Sequence, residues 1–140
     1  MLRSRFFPAH SIHLFHTFDQ TVGLNDLFTG QLIFVWDALM DPEAVAQLLG
    51  RNVPFGPACL RGYGRTAVRK GGEWQFALKE DEDGITPGVV LIGLSEADLE
   101  KIDQFEQAPL LTARHKLKIR IGDLERVAGV YLRSGSYLED

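Results

Sequence analysis

Cysteine is nearly absent from this chain, with Cys59 the only one in 140 residues. It forms no internal disulfide, and the chain reads as a protein of a reducing, cytoplasmic compartment. No histidine lies near Cys59 in sequence, so it reads as a small buried hydrophobe and not as a nucleophile. Long apolar runs are absent too. None approaches the roughly 20 residues that span a bilayer, so no membrane partner is expected and the chain reads as soluble. There is no excess of basic charge: 15 Lys and Arg stand against 19 Asp and Glu, for a net charge of −4. The basic residues are scattered among acids and not striped, so nucleic acid is not an expected partner. A secretory leader is not expected either, because the run Phe6-Phe7-Pro8-Ala9-His10 after Arg3 and Arg5 is broken by proline and histidine too early.

What is present is enough for one core. A length of 140 residues with 45% hydrophobic composition fits a single domain. Residues 1–30 differ in character from the rest and read as an N-terminal extension, leaving 31–140 as the domain. Phenylalanines at positions 6, 7, 15, 18 and 28 need a surface to cover, either the domain's own flank or a second subunit in a homo-oligomer. His10, His13 and His16 recur at helical spacing, as a metal site would require. No cysteine or carboxylate completes a ligand set nearby, and they are read as polar residues of an arm.

From Gln31 the punctuation is sharper. Leu32 to Trp36 is an uninterrupted apolar run bounded by Gly30 and Asp37, the pattern of a strand covered on both faces. Asp41-Pro42-Glu43 then opens a helix: aspartate caps free amides, proline sits where its missing N–H costs nothing, and glutamate suits the positive end of the dipole. Gly50 ends it. The turn from Asp37 to Leu39 is thus held between two rigid elements, where functional loops belong. Strands are expected over Ala58–Tyr63 continuing through Arg65–Val68, then Trp74–Leu78 across a Gly71-Gly72 turn, then Val89–Ile92. Glu80 to Gly84 reads as a charged, solvated loop. Ser95 and Asp98 make a capping pattern for a helix from Glu96 to Phe105, with Leu99, Ile102 and Phe105 facing inward. Arg114–Ile121 and Arg126–Leu132 close the chain as two strands around Gly122-Asp123. Strands outnumber helices and several are joined by short turns, so the class is α+β, a small curled mixed sheet carrying two helices.

The order of these signals resembles one family. An apolar strand enters a tight turn, then Leu-Met-Asp-Pro opens a helix. Leu60-Arg61-Gly62-Tyr63, Gly88-Val89-Val90, Gly93-Leu94-Ser95 and Ile102-Asp103-Gln104-Phe105-Glu106 follow. The sequence resembles the gamma-glutamylcyclotransferase-like superfamily, with its bacterial small-protein and plant avirulence-induced branches, over about residues 31–134. The resemblance implies a small mixed β-barrel with two main helices, whose cavity binds a small γ-glutamyl or similar acyl-amine substrate. The implied reaction is release of 5-oxoproline, a transferase or lyase chemistry that needs no cofactor and no metal. It also implies a site: the backbone of Trp36, Asp37, Ala38 and Leu39 holds substrate, Glu106 is the catalytic acid and base, and Tyr63 and Arg114 lie near the cavity.

The departures from the family pattern matter as much. Trp36, Asp37 and Ala38 replace tyrosine, glycine and serine or threonine, while Leu39 is kept. Aspartate brings a side chain and a charge where glycine lets backbone approach ligand. Against a substrate carboxylate about 4 Å away, that charge costs roughly 1 kcal/mol in water-like surroundings and about 4 kcal/mol at an effective dielectric of 20. Specificity is therefore expected to be altered in favour of an amine or hydroxyl near Asp37. Gln107 stands for a glycine and Thr112 for a tyrosine. A non-catalytic small-molecule-binding or regulatory module on the same fold is the alternative reading.

Overall fold

The computed structural model describes residues 31–108 and 111–133. The extension expected over residues 1–30, with its three histidines, lies outside the described residues. Strand β1 (Gln31–Val35) leads through a short 3-10 turn (Ala38–Met40) into helix α1 (Pro42–Leu49). Strands β2 (Phe55–Lys70) and β3 (Glu73–Leu94) form a long hairpin, followed by α2 (Glu96–Phe105) and a second hairpin, β4 (Thr112–Ile121) and β5 (Leu124–Arg133). The strands close into a barrel in the order β1-β3-β2-β4-β5. The sheet is mixed because β1 pairs antiparallel with β3 but parallel with β5, Ile33 against Gly129 and Phe34 against Val130.

The alternation of the strands builds two cores. Leu32 and Phe34 of β1 face the barrel interior with Val90, Ile92, Ile119, Ala128 and Val130. Their neighbours Ile33 and Val35 face the other way, onto a second core with Val45 and Leu49 of α1 and Leu99 and Ile102 of α2. A two-residue period on β1 thus supplies both, which is why its run carries no polar residue.

The helix ends follow their sequence signals. The Asp41 carboxylate accepts from the Glu43 backbone N–H at 3.0 Å, and Gly50 takes a left-handed φ of 77° to end α1. Ser95 and Asp98 form a reciprocal capping box at α2, with the Asp98 carboxylate accepting from Ser95 N–H and also pairing with Arg51. Burial opposes the Asp98 charge, but the Arg51 and Ser95 bonds outweigh it and hold its pKa below the ordinary value.

Two expectations need correction. Glu80 to Gly84 is not a loop between two strands, because β3 runs unbroken from Glu73 to Leu94. The ladder shifts register there: Arg61 pairs with Ile85 and Tyr63 with Glu80, so Asp81 to Gly84 are the surplus opposite Gly62. A bulge tolerates such a solvated run without ending the strand. The second correction is Phe105, expected inward but 45% exposed at the last position of α2.

Among the described residues no helix is long and apolar enough to cross a membrane, and no three histidine, cysteine, aspartate or glutamate side chains are grouped as a metal site would need.

Candidate active site

A cavity of about 260 Å³ opens where the end of β1, the end of α2, the first part of β3 and the start of β4 meet the end of β5. Its lining includes Trp36, Asp37 and Ala38 from the turn after β1, and Glu106 and Gln107 from the turn after α2. The two segments that the sequence singled out, 70 positions apart, are therefore walls of one cavity. Leu39 is on the same turn but points into the helix-side core.

Glu106 is placed by helix geometry. Its N–H donates to the Ile102 carbonyl at 2.9 Å as the last turn of α2 closes, and its own carbonyl accepts from the Thr112 hydroxyl at 2.9 Å. Thr112, where the family pattern has tyrosine, thus pins the Glu106 backbone to the first residue of β4. Gln107, where the pattern has glycine, adopts a φ of 62°. Left-handed backbone of this kind explains the glycine preference, since a Cβ costs roughly 1–2 kcal/mol there. The chain keeps the turn and carries the strain.

The electrostatics of the cavity are unusual for carboxylates. Burial, reinforced by the neighbouring Asp37 charge and partly offset by Arg133, pushes the Glu106 carboxyl up to about 7. Asp37 is exposed at the cavity wall, yet partial desolvation of its carboxyl raises its pKa, against the lowering influence of the Ala38 and Asp37 backbone amides and of Arg65 and Arg133. Two carboxyls and one guanidinium therefore share a single small space. A carboxyl that titrates near neutrality can take and return a proton at working pH.

Tyr63 and Arg114 stand elsewhere. Tyr63 packs partly buried against the barrel core, and its carbonyl accepts from Thr86 at 2.9 Å. Arg114 lies on the outside of β4 and pairs with Asp103 at 3.6 Å. Neither is among the residues lining the cavity. Arg114 reaches it only indirectly, because Asp103 also accepts the phenol proton of Tyr131, which does line the cavity. Burial and the Asp103 contact raise the Tyr131 pKa and keep the phenol neutral.

The sequence reading missed Phe76, Tyr131 and Arg133, all of which line the cavity. Arg133 donates to the Gln75 side-chain carbonyl from one terminal nitrogen. The other terminal nitrogen is buried without a hydrogen-bond partner among the described residues. The available signal was the two-residue period of β5, which puts Tyr131 and Arg133 on one face.

The comparisons with known proteins agree with this geometry. No curated protein matches the chain. Among solved structures, it is similar to a solution structure from Arabidopsis thaliana at 25% identity and a TM-score of 0.63, covering 74% of this chain and 61% of that one. The chain thus spans about three fifths of that relative. A second Arabidopsis thaliana solution structure matches at 22% identity and a TM-score of 0.63, over 79% of this chain and 75% of that one. A structure of a protein called gamma-glutamyl cyclotransferase shares the fold at 16% identity and a TM-score of 0.63, over 74% of this chain and 66% of that one. The family model described as gamma-glutamyl cyclotransferase, AIG2-like, matches residues 33–139. The chain, with its closed mixed barrel and its glutamate in a cavity at the end of α2, belongs to the gamma-glutamyl cyclotransferase, AIG2-like family.

Proposed function

We propose that the cavity binds a γ-glutamyl amine or γ-glutamyl amino acid and converts it, by intramolecular aminolysis, to 5-oxoproline and the free amine. The observation that carries this reading is Glu106 itself, which lines the cavity with a pKa of about 7. The α-amine of such a substrate is mostly protonated at neutral pH. Ionised Glu106 takes one proton from it, and the freed nitrogen attacks the γ-carbonyl carbon to form the lactam C–N bond. The bond from that carbon to the leaving nitrogen then breaks as Glu106 returns its proton there, and the second proton of the former α-ammonium passes from the ring nitrogen to the departing amine, which leaves as an ammonium while the lactam nitrogen keeps one hydrogen. Atoms balance without water, metal or cofactor. Holding the substrate folded in a near-attack geometry lowers the barrier further by proximity.

The other charges suit the same substrate. Asp37 favours the α-ammonium, and Arg133 offers positive charge to the α-carboxylate and balances the two carboxyls. Removing a positioned acid and base typically costs a factor of about 10²–10⁴. Glu106→Gln is therefore expected to abolish most 5-oxoproline release while leaving substrate binding measurable.

A second reading has one observation in its favour. Asp37 lines the cavity where the family pattern has a glycine, so the fold could serve as a non-catalytic binding or regulatory module. Ligand-induced thermal stabilisation with no 5-oxoproline release from any γ-glutamyl compound would favour it.

A further inference from the structure

Large apolar side chains on a surface need a reason. Two of the exposed ones among the described residues, Phe76 at 59% and Phe105 at 45%, line the cavity, and they come from different elements, β3 and α2. The half-buried Trp36, in the turn just after β1, joins them in the lining. The Arg65 guanidinium sits 5.7 Å from the Trp36 ring centroid and 5.3 Å from that of Phe76, so one cation ties these two rings together. Aromatic side chains from three separate segments therefore form the cavity's rim.

The proposed reaction fixes which part of the substrate meets that rim, and the inference rests on that reading. The γ-glutamyl group must sit where its amine reaches Glu106. The leaving nitrogen must also reach Glu106, because the proton returns to it. What lies beyond the leaving nitrogen runs outward, past Phe105, the residue next to Glu106, and past Phe76. The volume of about 260 Å³ lies just under the usual range of roughly 300–1,000 Å³ for small-molecule sites, which suits a dipeptide-sized ligand and excludes a longer peptide inside.

We propose that Phe76, Phe105 and Trp36 form a subsite for the leaving group, and that the preferred substrates are γ-glutamyl compounds whose leaving amine carries an aromatic or bulky apolar side chain. Phe76 and Phe105 select by burying apolar surface that would otherwise stay wet, and their own exposure falls on binding. Such contacts are made equally in the bound substrate and the transition state, so the preference resides in KM more than in kcat.

The test is kcat/KM for γ-glutamyl-phenylalanine against γ-glutamyl-glycine, read as 5-oxoproline release by the full chain. Wild type is expected to prefer the phenylalanine compound by at least tenfold. The double variant Phe76→Ala/Phe105→Ala should bring the ratio to within about threefold. Trp74→Ala removes a ring that is 68% exposed on the same strand but outside the cavity lining, and it should leave the ratio intact. A wild-type ratio near one, or a ratio that survives the double variant, overturns the subsite.

Release from neither compound is a failure of the proposed reaction, not of the subsite, and calorimetric titration of Glu106→Gln with the two intact compounds then decides. Tighter binding of γ-glutamyl-phenylalanine, lost when the two phenylalanines are also replaced, upholds the subsite. Equal binding, or no binding of either, overturns it.

Discussion

Asp37 and Glu106 line one cavity from segments far apart in the sequence, and after burial the Asp37 charge is the next cause that holds the Glu106 carboxyl near 7. The opposing cation is Arg133. The acid limb of the rate profile should therefore move in opposite directions when each is neutralised. Asp37→Asn removes a repulsion that favours protonated Glu106, so the limb in kcat/KM moves from about 7 toward the ordinary value of 4.5. Arg133→Gln removes an attraction that favours the carboxylate, so it moves above 7. Limbs that stay in place, or move together, would contradict this arrangement.

The raised Glu106 pKa also carries a stability consequence. A carboxyl at about 7 in the fold and 4.5 when unfolded binds more protons in the native state between those values. Stability is then fully present below 4.5 and declines as pH rises through 7. Glu106→Gln escapes that decline. It should be more stable than wild type at pH 8, by up to about 3 kcal/mol and less to the extent that water still reaches the group, and nearly equal at pH 4. Thermal denaturation at the two pH values reads the difference.

Gln107 holds a left-handed φ of 62° directly after Glu106. Gln107→Gly relieves that conformation and is expected to raise stability by about 1 kcal/mol, net of the glycine entropy term. Denaturant midpoints with an unchanged slope would show it.

At the other end of α2, Asp98 caps the helix and pairs with Arg51. Asp98→Ala should lower stability by about 1–3 kcal/mol, through loss of the cap and of a charge-assisted bond. Because the fold holds its pKa below the ordinary value, the wild-type contribution is present above that value and fades as pH falls through the native one. The difference between the two proteins should therefore narrow in acid.

A Cβ added at Gly88 would lie 2.3 Å from the Val35 carbonyl oxygen and 2.6 Å from the Phe34 ring. Backbone cannot give way as a surface side chain does. Gly88→Ala is expected to destabilise by about 1–3 kcal/mol, and to alter the cavity as well, since Phe34 and Val35 line it.

Much of the architecture could be read from local chemistry. Caps at Asp41 and Ser95, the stop at Gly50 and the period-two strands state their roles within a few residues, so both helices lie where those signals put them. Glu80 to Gly84 misled because a solvated acidic run looks the same in a loop and in a bulge. Only the partner strand, with Gly62 opposite the surplus, distinguishes them. Phe105 misled for another reason: helical spacing sets its direction, but whether a wall or a cavity lies there depends on β3 and β5. The segment around Asp37 and the carboxyl of Glu106 were visible through their resemblance to a known pattern. Tyr131 and Arg133 were not, because the closure of β5 against β1 brings them to the site, and no local signal encodes that contact.

The central claim is that Glu106 moves the proton in a cyclisation that releases 5-oxoproline. The most direct measurement is 5-oxoproline release from a panel of γ-glutamyl amines and γ-glutamyl amino acids, wild type beside Glu106→Gln, with calorimetric binding of the same compounds to both. Release by wild type that drops by about 10²-fold or more in a variant that still binds substrate is the predicted result. Comparable release by both proteins, or no release by wild type from any member of the panel, would contradict the account.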